Sequence, residues 1–182
     1  VWGCLSCYGS KVGWYHAYHL PLSLIEMELG EASFLGAIDE LTLVLVCGGI
    51  CAGTLLIRTI FSYDGITDAD VAICRRGLIV NVCCGDFIEI AYPYMEKHVI
   101  INAGGYLASG LSSAWLVASA VSKEEVPRSL AYLPLPVSIA LAANEWKRMA
   151  VACVIAAGVS MVATLLHYIV IEIPTSRRQK RD

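Results

Sequence analysis

Three long apolar runs, residues 35–61, 98–122 and 149–173, constrain this chain more than any other feature of its sequence. Each is dominated by Leu, Val, Ile, Ala and Gly, and none carries a charge near its middle. A helix rises about 1.5 Å per residue, so about 20 such residues cross a hydrocarbon core of about 30 Å. Only helices and closed barrels satisfy their backbone groups in lipid, and runs this continuous lack the alternation of barrel strands. The expected fold is an all-α, polytopic integral membrane helical bundle, a single transmembrane domain over residues 1–182.

Composition points the same way. Hydrophobic residues make up 57 % of the chain and charged residues 16 %, against roughly 45–50 % and about 25 % in a soluble domain. The mean hydropathy is +0.64. These values exclude disorder and argue against a soluble enzyme. A net charge of -3 supplies no basic stripe for phosphates, so nucleic acid is excluded as a partner. The sequence has no initiator Met and does not open like a secretory signal; it reads as a fragment, a processed chain or a polyprotein product.

Three further segments are candidate spans: 77–94, interrupted by Asp86 and Glu89; 12–30, with His16, His19, Pro21 and Glu26; and 127–144, with Pro127, Pro134 and Pro136. Lys and Arg collect on the cytoplasmic side of a membrane. With only the four clearer segments spanning, the minimum, the basic residues divide almost evenly between the two sides. With all six spanning, every basic residue except Lys97, Lys147 and Arg148 falls on one side. Six spans with both termini cytoplasmic are therefore expected. The basic cluster around Arg177, Arg178, Lys180 and Arg181 would then anchor the last helix at the bilayer surface.

Ionised carboxylates in hydrocarbon cost roughly 2.5–3.5 kcal/mol each, so those inside spans call for a role. Asp39 and Glu40 fall about one turn inside the second segment, and Asp86 and Glu89, three apart, share a face of the third. Asn81 and Asn102 add carbonyl oxygens nearby. Oxygen ligands of this kind suit a small hard cation. The expected function is a channel or secondary transporter for a small cation, with Asp86 and Glu89 as binding carboxylates and Asp39 and Glu40 at the mouth. No enzyme activity and no cofactor beyond a possible bound cation are expected. The partners are lipid, the cation, and either further copies or other membrane subunits.

Small residues allow helix backbones to approach where lipid gives no hydrophobic drive for association. Gly49 with Gly53, and Gly105 with Ser109, have the required spacing and are expected at helix contacts. Of the histidines, His16, His19 and His167 fall near the same predicted side and are weak candidates for a metal, while His98 is expected on the opposite side. Cys4 and Cys7 form a C-x-x-C, and Cys83 and Cys84 a vicinal pair. Two alternatives follow from these residues: a non-catalytic subunit or scaffold of a membrane complex, and a membrane thiol or haem redox protein.

Overall fold

The computed structural model describes residues 1–14, 17, 21, 24, 28, 38, 40–85, 88–119, 134–137 and 146–179. Among them every regular element is helical. Helix α1 is Trp2–Val12, and a π-helical turn, Glu40–Val46, runs into α2, Cys47–Phe61. Helix α3, Asp68–Cys84, is followed by a 3-10 turn, Ile88–Ile90, and the short α4, Tyr92–Lys97. Helix α5 is Val99–Ala118; α6, Trp146–His167, continues through a second π-helical turn, Tyr168–Glu172, into α7, Ile173–Gln179. Two of the helices are long and apolar enough to cross a membrane: Leu41–Phe61, and the unbroken stretch Trp146–Ser176.

Neighbouring contacts set the direction of each helix. Gly49 lies against Ala157 and Ser160, and Gly53 against Met161 and Thr164, so α2 and α6 run parallel. Gly104 meets Ala163 at one height, and Leu116 shares a buried cluster with Met149 and Ala152 at another, so α5 runs antiparallel to α6. Helix α1 is antiparallel to α5, with Gly3 on Ser109 and Ser113 and the Lys11 ammonium on Asn102. Helix α3 descends beside α2, from the Arg58–Asp68 ion pair at 3.4 Å to the contact of Asn81 with Cys47.

Gly49, Gly53 and Ser109 lie at contacts between helices, and Gly105 against the side chains of Met95 and Val46. Gly49, Gly53 and Gly105 are buried, and a methyl group at Gly49 would collide with the Ser160 hydroxyl and the Ala157 carbonyl. Ser109 is fully buried, donating to the Gly3 carbonyl at 2.7 Å and touching the Thr42 hydroxyl. Large apolar side chains point the other way: Leu107 and Leu111 on α5, and Val154, Val162 and Leu166 on α6, are exposed. Small and hydroxyl-bearing residues line the helix contacts beside buried aliphatic side chains such as Ile50, Ile57, Ile101 and Leu116, while further large aliphatic side chains face outward.

The segment 77–94 does not form one straight span. Helix α3 stops at Cys84, where Gly85 takes a left-handed φ of 72° and its amide bonds back to the Asn81 carbonyl. The chain then retraces its path, with Ile90 beside Gly77 and the Tyr94 hydroxyl 3.4 Å from the Cys74 thiol. Pro93 opens α4, where its missing N–H costs nothing. This return brings His98 to the end of the bundle where α3 begins.

The fold-back corrects two expectations. In the six-span layout, 98–122 and 149–173 point the same way and place His98 and His167 on opposite sides; here the helices are antiparallel and the two imidazoles are 4.1 Å apart, centroid to centroid. Residues 2–12, to which no span was assigned, form a helix packed along α5, with Trp2 and Lys11 at opposite ends of that contact. Most of the candidate spans 12–30 and 127–144 lies outside the described residues.

Candidate metal centre

The fold-back, the end of α6 and the loop after α2 meet around His98, His167, Glu172 and Tyr63. His98 is the residue between α4 and α5, at the N-cap of α5 in an extended conformation. His167 closes α6, and Glu172 ends the π-helical turn that follows it. Residues five apart lie about 140° from one another around an α-helix, at about 100° per residue. A π-helix hydrogen-bonds from i to i+5 and brings such residues back into line. Pro174 supplies a cause: it lacks the N–H that an α-helix would direct to Val170 and its ring crowds that carbonyl.

One carboxylate oxygen receives both imidazoles. Glu172 Oε1 lies 3.4 Å from His167 Nε2 and 3.8 Å from His98 Nδ1, while Oε2 accepts a hydrogen bond from the Tyr63 hydroxyl at 3.2 Å. The His167 side chain is 7 % exposed and that of Glu172 35 %, so the cluster is walled on one side and open on the other. Among the described residues, neither nitrogen of His167 has a hydrogen-bond partner. Tyr168 packs edge-on against both imidazoles.

A neutral imidazole at His98 or His167 offers a ring-nitrogen lone pair for coordination. Burial, reinforced by the Glu172 charge and hydrogen bond, raises the Tyr63 phenol, which stays protonated and donating. Two imidazoles and a carboxylate, with ligand atoms all within 4.8 Å of one another, are a set that can hold a metal ion.

The residues singled out from the sequence are distributed differently. Asn81 is buried and its amide donates to the Cys47 thiol and the Gly77 carbonyl, while Asn102 accepts from Lys11 at 3.3 Å. Glu89 is exposed on the 3-10 turn. Glu40 begins the first π-helical turn, its side chain outside the described set, and Asp39, Asp86, His16 and His19 lie outside it altogether. Of the histidines named as weak metal candidates, His167 is in the cluster, partnered by His98. Glu172 and Tyr63 were not legible as ligand and partner; the signal was a His and a Glu five apart with a proline two residues on. Cys47, Cys51 and Cys74 are buried, Cys83 and Cys84 are exposed, and no cysteine forms a disulfide.

No family model, curated protein or solved structure matches the chain.

Proposed function

We propose that this chain is an integral membrane helical protein that handles a small cation, acting as a channel or secondary transporter. The carrying observation is the His98–His167–Glu172 cluster, seated on the unbroken helix Trp146–Ser176, with a buried imidazole that has no hydrogen bond among the described residues and a partly exposed carboxylate. The cluster lies at the end of the bundle, beside the loop after α2, where coordinating groups partly open to water would receive a cation entering between the helices. The outward aliphatic faces of α5 and α6 support lipid as their surroundings. The carboxylates Asp39, Glu40, Asp86 and Glu89 remain the proposed mouth and pathway.

The test is cation flux into liposomes containing the purified chain, screening monovalent and divalent cations. Flux is expected for at least one divalent cation and is expected to fall on replacing Glu172 by Gln, or Asp86 by Asn together with Glu89 by Gln. A folded chain that passes no cation overturns the reading. A membrane subunit is the second reading, favoured by the size of the exposed aliphatic ridge on α6, where Val154 is 72 % exposed. It predicts no flux and a partner chain that co-purifies.

A further inference from the structure

Resting on the cation reading, we infer that His98, His167 and Glu172 form a tetrahedral site for a borderline divalent cation of the zinc class, with Tyr63 as its positioning residue and a fourth position left for solvent or an incoming ligand. The donor set makes the choice of metal. Calcium takes six to eight oxygens and magnesium a near-octahedral shell rich in water, whereas two imidazoles with one carboxylate suit zinc and its first-row neighbours. Distances agree. Ligand bonds of about 2.0–2.1 Å around a tetrahedral zinc place the ligand atoms about 3.4 Å apart, the separation found between His167 Nε2 and Glu172 Oε1. The 3.8 Å from His98 Nδ1 and the spread of the set, within 4.8 Å, require the more exposed His98 imidazole to move inward by up to about an ångström for tetrahedral closure.

A plain structural histidine would direct a ring N–H at an acceptor. His167 does not: its imidazole is more than nine-tenths buried, faces Glu172 at 3.4 Å, and among the described residues neither nitrogen is hydrogen-bonded. Tyr63 completes the arrangement by holding Oε2, which leaves Oε1 directed at the two imidazoles. An outer partner that fixes a ligating carboxylate in this way changes metal affinity by about 10–100-fold.

The experiment is a cobalt titration of the full chain in detergent, after chelator treatment, followed by visible absorption and by metal analysis. One cobalt per chain is expected, with the intense visible bands of tetrahedral coordination, displaced by zinc. Glu172→Ala or His98→Ala should weaken binding by about 100-fold or more, and Tyr63→Phe by about 10–100-fold with a shifted band at unchanged stoichiometry. His167 is the most buried ligand, so the His98 and Glu172 variants, checked for helicity, carry the test if His167→Ala fails to fold. Absence of stoichiometric cobalt in the wild type, or affinity that survives His98→Ala and Glu172→Ala, overturns the assignment. Flux without a cobalt spectrum overturns this site while leaving the cation reading intact; a cobalt spectrum without flux keeps the site and overturns transport.

Discussion

Gly49 and Gly53 show what a missing side chain does between helices. Both lie where α2 crosses α6, and any Cβ at Gly49 would meet the Ser160 hydroxyl and the Ala157 carbonyl. Gly49→Val should force the helices apart and destabilise the fold by about 1–3 kcal/mol, read as a lowered unfolding midpoint in detergent. Thr67 and Asp70 form a different residue-scale device, a capping box at the start of α3. Burial would raise the Asp70 pKa, but hydrogen bonds from the Thr67 hydroxyl and amide, then Tyr94 and the charge of Lys97, outweigh it and hold it below the ordinary value. A depressed carboxylate pKa contributes stability that is present above the unfolded value and lost as pH falls through the folded one. Thr67→Ala should therefore raise the Asp70 pKa toward 3.8, measured by NMR titration, and cost about 1 kcal/mol of helix stability.

Elements were legible where composition alone decides them. Two of the three clear apolar runs contain the two helices long enough to cross a membrane, and 98–122 contains α5, because continuous aliphatic sequence has few other solutions. The glycine spacings also located real contacts, since close approach is a local steric property. Direction was not legible. Segment 77–94 has the apolar content of a span, and the left-handed turn at Gly85 that sends it back depends on packing against α3. Glu172 was not legible beside His167, because an α-helical count turns residues five apart away from each other and the π-helical turn brings them together. Pro174→Ala returns the N–H that ordinary α-geometry needs. It should rotate Glu172 off the cluster and weaken cobalt binding by about tenfold or more, at the scale of a lost orienting contact. Unchanged affinity in that variant would disconnect the proline from the site.

At the scale of the whole molecule, the arrangement is defined by α5 and α6 running antiparallel, with α2 and α6 parallel. The six-span layout offsets Gly104 and Ala163 by about 12 Å along the membrane normal, whereas the observed packing brings a Cβ at position 104 against Ala163. In a background with the native cysteines replaced, Gly104→Cys with Ala163→Cys should cross-link efficiently under mild oxidant, detected as a mobility shift under non-reducing electrophoresis. Failure to cross-link would restore the parallel layout. Most of the inward hydroxyls, at Ser112, Ser113, Ser160 and Thr164, bond to carbonyls of their own helix, so the helices are joined chiefly by the buried aliphatic cluster around Ile50, Ile57 and Ile101, with Ser109 as a polar link to Gly3.

The fold-back between α3 and α5 has a further consequence in the order of synthesis. Tyr63 and His98 leave the ribosome well before His167 and Glu172, so half of the cluster is built before the other half exists. A chain interrupted between His98 and His167 presents one imidazole and a phenol but no carboxylate between them, and the last helix to arrive is the one that makes the site.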